Sequence, residues 1–128
     1  MIHKITHFTL YVRDQEASLD FFVNKLEFEL HTDTMFGDMR WLTVCPVDQK
    51  YFEIALMLPT NDDEKSLVGR QAAKNPILAL ATDNCQKDYE LFKERGVSFI
   101  EAPNDQPWGI QALFTDLDGN IYNLYEPK

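Results

Sequence analysis

The chain runs through the same order of elements twice, and one run alone has too few elements to enclose a core. Ile5–Arg13 alternates, with Phe8, Leu10 and Val12 on one side and His7, Thr9 and Tyr11 on the other, which is the two-residue period of a strand. Asp14 stands where a helix N-cap belongs, and Glu16 falls in the first turn, where the helix dipole favours an acid. Leu19, Phe22 and Leu26 then form one apolar stripe, which predicts a helix over Gln15–Lys25. Glu27–Thr32, Met39–Cys45 and Tyr51–Leu58 read as strands, parted by turn material at Asp33–Asp38 and Pro46–Lys50. After a polar stretch, Pro59–Asn75, the order restarts with a strand at Pro76–Thr82. Asn84 caps a second helix, whose stripe is Cys85, Tyr89 and Phe92 and whose end is marked by Gly96. Strands at Val97–Ala102, Gly109–Asp116 and Ile121–Glu126 follow, the last two joined through the tight-turn sequence Asp118-Gly119-Asn120.

A pattern of about fifty residues that occurs only twice is too short an array for a solenoid. Two βαβββ halves packed together are the better solution. The expected class is α+β: one domain over 1–128, with module one at 1–59, a linker at 60–75 and module two at 76–128. Helices would cover the outer face, and two curved four-stranded sheets would line a shared cleft, where ligand sites commonly lie. The linker is expected to hold at most one short helix around Lys65–Lys74, with Asp62-Asp63-Glu64 as a solvated loop. Pairing of the two modules within one chain or between two chains stays open at this point.

Composition narrows the partners. A chain of 128 residues with 45% hydrophobic content can bury a real core. Its net charge of −9 argues against nucleic acid and against an anionic membrane face. Met1–Ile5 lacks a signal peptide's apolar run, and no stretch of about 18 apolar residues occurs, so the expectation is a cytoplasmic protein without a membrane span. Cys45 and Cys85 have no CxxC spacing and read as two buried thiols. No Gly-x-Ser-x-Gly elbow is present, and the five glycines are scattered rather than gathered into a phosphate loop.

Thr6-His7-Phe8-Thr9-Leu10-Tyr11-Val12-Arg13-Asp14 with Ser18-Leu19-Asp20-Phe21-Phe22, then Lys93-Glu94-Arg95-Gly96-Val97, Trp108-Gly109 and Asp118-Gly119-Asn120, in this order, resemble the glyoxalase, bleomycin-resistance and extradiol-dioxygenase superfamily. The resemblance implies the paired βαβββ fold, a homodimer, and a divalent metal held by four residues on the inner sheet faces. His7 matches the first ligand position, but the other three fall on Ala55, Ile77 and Asn123. A shift of register adds only Glu53, so no metal and no cofactor is expected.

What remains is a pocket composition: His7 and Glu53 as candidate acid–base groups, with Thr9, Tyr11, Trp41, Met57, Trp108, Asn123 and Tyr125 as ligand contacts. A small-molecule ligand of hydrophobic or aromatic character is the expected partner. A metal-dependent lyase, epimerase or dioxygenase is the alternative, and a non-catalytic interaction module the third reading. His7 also admits a structural role, and His3 and His31 are expected to face solvent.

Overall fold

The computed structural model describes residues 1–128. The chain divides into two compact units, Met1–Val68 and Gly69–Lys128. The first holds β1 (His7–Tyr11), α1 (Gln15–Asp20) continuing into a π-helical turn (Phe21–Lys25), β2 (Glu29–Phe36), β3 (Met39–Cys45), β4 (Glu53–Met57) and the short α2 (Asp62–Leu67). The second holds β5 (Pro76–Ala81), α3 (Cys85–Glu94), β6 (Ser98–Gln106), β7 (Gly109–Thr115) and β8 (Ile121–Pro127). The sheets repeat one topology, β1-β4-β3-β2 and β5-β8-β7-β6. In each, the first strand pairs parallel to the last and the remaining pairs are antiparallel.

Alternation along the strands sorts each sheet into two faces. In module one, Leu10, Leu42, Val44, Ile54 and Leu56 are fully or almost fully buried with Phe21 and Phe22 of the helix. Asp14 caps α1 by accepting from the Ala17 amide at 3.0 Å, as its sequence position predicts. In module two, Ala112, Phe114, Tyr122 and Leu124 are buried together with Cys85 and Phe92 of α3. The Phe114 and Tyr122 rings stack at 5.1 Å and 9°. Cys45 and Cys85 are free and buried, and burial pushes both thiols up, which keeps them protonated and unreactive.

Three expected boundaries move, each for a local reason. Asp33–Phe36 belongs to β2 rather than to a turn. Gly37, at φ +61°, begins a two-residue reversal between the paired Phe36 and Met39, so the ladder extends through Asp33 and Thr34. β6 likewise runs past Ala102 to Gln106, with irregular register between Glu101 and Asn104, where Pro103 has no amide to donate. The linker helix lies at Asp62–Leu67, not Lys65–Lys74. Asn61 accepts from the Glu64 amide at 2.8 Å while the Glu64 carboxylate takes the Asn61 side-chain amide at 3.0 Å and the Thr60 amide at 2.9 Å, so the acidic run is a helix start rather than a loop.

Candidate functional site

The register of module one fixes what its second sheet face presents. Thr9 pairs with Ala55 and Tyr11 with Met57, and Ala55 also pairs with Thr43. Thr9, Tyr11, Ala55, Met57 and Thr43 therefore share the face opposite Leu10, Ile54 and Leu56, and alternation along β3 adds Trp41 and Met39. Against this face lies a hollow of about 630 Å³, bounded by Thr9, Tyr11, Trp41, Met39 and Met57, by Leu58-Pro59-Thr60 and Glu64 beyond β4, and by Asp38, Arg40 and Gln15. A volume of that order suits a drug-sized molecule, and the aromatic and thioether lining is that of an apolar pocket.

Two polar devices hold the walls. The Gln15 side-chain amide donates to the carbonyls of Leu56 at 2.8 Å and Arg40 at 3.2 Å, tying together the ends of β4 and β3, whose direct pairing is confined to Thr43–Ala55 and Val44–Ile54. Arg40 spans two carboxylates, with its Nε and Nη2 on Asp33 at 2.9 and 2.8 Å and its Nη1 on Glu16 at 2.7 Å. The hydrogen bond from Arg40 holds Asp33 below the usual carboxylate range, and the same bonds raise Arg40 further above neutrality. Neither Gln15 nor Arg40 is legible as a wall residue in the sequence, because each reaches the site through a contact distant along the chain.

Of the residues singled out in the sequence, Thr9, Tyr11, Trp41 and Met57 line this hollow, and His7 and Glu53 do not. His7 is exposed; its ring meets Trp41 edge-on, 5.1 Å between centroids at 90°, and its Nδ1 lies 3.1 Å from the Thr6 hydroxyl. Glu53 pairs with His7 in the strand register and shares the sheet face of Ala55 and Thr43, but its carboxylate is engaged by Thr43 and His31. Its Oε1 accepts from the Thr43 hydroxyl at 2.7 Å and lies 2.9 Å from His31 Nδ1. His31 faces solvent as expected, and beside the β-bulge between Leu30 and Thr32 its ring also lies against Glu53. Glu53→Ala is expected to lower stability by about 1–3 kcal/mol, because Thr43, 0% exposed, loses its acceptor. Urea unfolding checks this, and Thr43→Val in the Glu53→Ala background should restore part of the loss.

In module two, Gln111 Oε1 accepts from the Asn123 side-chain amide and from Trp108 Nε1, each at 3.1 Å. Tyr125 is the register partner of Gln111. Asn123 Oδ1 is left buried without a partner.

These positions test the metal that the resemblance implies. Asn123 is flanked in register by Ala79 and Leu113, neither of which carries a donor. Ile77 stands at a register irregularity between Pro76 and Leu78. No group of three His, Cys, Asp or Glu side chains gathers anywhere in the chain in a form able to hold a metal ion. A catalytic site for a divalent metal needs about three protein ligands, and the donor set here does not fit one.

The sequence profile of the Glyoxalase/Bleomycin resistance protein/Dioxygenase superfamily matches residues 4–124. The chain belongs to this superfamily. Its two βαβββ modules are the glyoxalase-like fold. A protein of Shewanella frigidimarina (strain NCIMB 400) is 34% identical, over 98% of this chain and 95% of its own. A superfamily member from Sphaerobacter thermophilus, solved by crystallography, superposes with a TM-score of 0.81 at 34% identity, covering 98% of each chain. TnmS3, an antibiotic binding protein from Streptomyces sp. CB03234, superposes with a TM-score of 0.79 at 32% identity, covering 99% of this chain and 98% of its own. No helix in this glyoxalase-like chain is long and apolar enough to cross a membrane.

Proposed function

We propose that this glyoxalase-like protein binds a small, partly hydrophobic or aromatic molecule in the hollow of module one, and does so without a metal. The observation that carries the reading is the hollow itself, about 630 Å³, in which Tyr11, Trp41, Met39 and Met57 supply the apolar surface. Aromatic walls of this kind contribute large contact area at low entropic cost, with the Tyr11 hydroxyl as a polar handle. The likeness to the antibiotic binding protein TnmS3 over nearly the whole chain supports capture rather than turnover. The proposed assembly is a homodimer in the cytoplasm. Each module leaves two strands with one unpaired edge, β1 and β2 in the first and β5 and β6 in the second, and a second copy is one way to cover such edges.

Calorimetric titration with 9-anthracenemethanol, a neutral tricyclic aromatic, tests the reading. Binding is expected at one site per chain, unchanged by chelator or by added Zn²⁺, and weakened about tenfold or more by Trp41→Ala. Absence of binding, or binding that requires the metal, defeats it.

A second reading rests on the Glu53–His31 pair. A carboxylate on Nδ1 orients an imidazole and leaves Nε2 as a proton acceptor, the arrangement used in acid–base catalysis. In that reading Glu53 positions His31, and His7 lies one strand away at its register partner.

A further inference from the structure

We infer that the hollow of module one discriminates by charge, taking cationic aromatic ligands, such as planar ring systems that carry an amine or amidinium, and rejecting anionic ones. The inference rests on the hollow being the binding site.

Its walls include two carboxylates, Asp38 and Glu64, and one cation, Arg40. The Arg40 charge is already engaged. All three guanidinium nitrogens donate to carboxylates, two to Asp33 and one to Glu16. An incoming anion would have to compete with a bidentate pair for the one positive group in reach, and would meet four carboxylates while doing so. Glu64 stays ionised because the Thr60 amide and hydroxyl and the Asn61 side chain all donate to it, which holds it below the usual carboxylate range. Asp38 sits exposed on the β2–β3 turn at the edge of the hollow. The same hollow is lined by Tyr11 and Trp41, aromatic rings of the kind whose π-faces attract cations and not anions. Carboxylate rim, spent guanidinium and aromatic wall therefore favour one sign of ligand.

Three tricyclic probes of similar size separate the possibilities: cationic proflavine, neutral 9-anthracenemethanol and anionic 9-anthracenecarboxylate. At about 20 mM salt, proflavine is expected to bind about tenfold or more tighter than the carboxylate, and the gap should narrow near 0.5 M salt as screening shortens the reach of the rim charges. Asp38→Asn with Glu64→Gln, which keeps an acceptor for the Thr60 amide and hydroxyl and gives up only the one for the Asn61 side chain, should cut that preference about fivefold. Glu90→Gln with Glu94→Gln on α3 removes the same charge far along the chain and should leave the preference intact. Equal affinity for proflavine and the carboxylate overturns the inference, as does an equal effect of the two double variants, which would mean that overall charge alone is at work. If proflavine and the carboxylate bind equally and both depend on Trp41, only the charge inference fails. If no probe binds, or Trp41→Ala changes none of them, the binding site itself has been misplaced.

Discussion

Asp116→Ala is expected to lower stability by about 3–5 kcal/mol, the largest single loss available to a polar side chain in this protein. The reason is the number of donors gathered on one carboxylate. Asp116 Oδ1 accepts from the amides of Asp118, Gly119 and Asn120 at 2.9, 3.0 and 3.0 Å. Its Oδ2 accepts from the Asn120 side chain at 2.9 Å and from the Tyr122 hydroxyl at 2.7 Å. The turn between β7 and β8 is built around this group, and two of the donors sit on side chains that are 4% and 0% exposed, so water cannot replace what alanine removes. Asp116→Asn keeps an oxygen for the backbone amides but offers a second donor to Asn120 and Tyr122, and should fall between alanine and the natural residue. Adding Tyr122→Phe to Asp116→Ala should recover part of the loss by deleting the hydroxyl whose acceptor alanine removes. Urea midpoints across this set check the ordering, and a loss below about 1 kcal/mol for Asp116→Ala would show that the turn does not depend on it.

The same pair sets an alkaline limit. Burial first, then the adjacent Asp116 charge and hydrogen bond, raise the Tyr122 phenol well above its ordinary value of 10.0. The folded state therefore holds this proton where the unfolded chain has lost it. Stability from this group is complete below about pH 10 and declines as pH rises from there towards the folded value. Tyr122→Phe should flatten that part of the stability–pH curve.

Much of this architecture is legible in the sequence because local chemistry and tertiary demand agree. The alternation in Ile5–Arg13, the Asp14 and Asn84 caps and Gly96 at φ +91° after α3 each do what their type predicts. The failures share a cause. Asp33 and Thr34 read as turn residues, yet they extend β2 because Asp33 is satisfied by Arg40, seven residues on and across the ladder. His31 is exposed as its position predicts, but nothing local in the sequence announces its contact with Glu53. Along the hollow, strand parity puts Thr9, Tyr11, Trp41 and Met57 on one face, whereas Gln15 is hidden because a glutamine opening a helix ordinarily faces water, and here it is 8% exposed. Pattern reads faces, and it does not read which distant partner a polar side chain will find.

Gly109→Ala is expected to cost about 3 kcal/mol or more, although glycine to alanine in a strand is usually a mild change. Gly109 opens β7 at φ +148°, buried, with Pro127 as its register partner. A Cβ built there would stand 2.1 Å from the Glu126 carbonyl oxygen and 3.2 Å from the Pro127 Cα, both backbone atoms of β8. Backbone cannot rotate aside as a side chain can, so β7 and β8 must part where the Lys128 amide also bonds the Trp108 carbonyl at 3.2 Å. Gly37→Ala is the control. Gly37 has φ +61° and nothing within 4 Å of its added Cβ, so only conformational strain of about 1–2 kcal/mol applies. Thermal melts of the two variants separate strain from collision: a Gly109→Ala loss no greater than that of Gly37→Ala would mean that β8 does not approach β7 as closely as the structure shows.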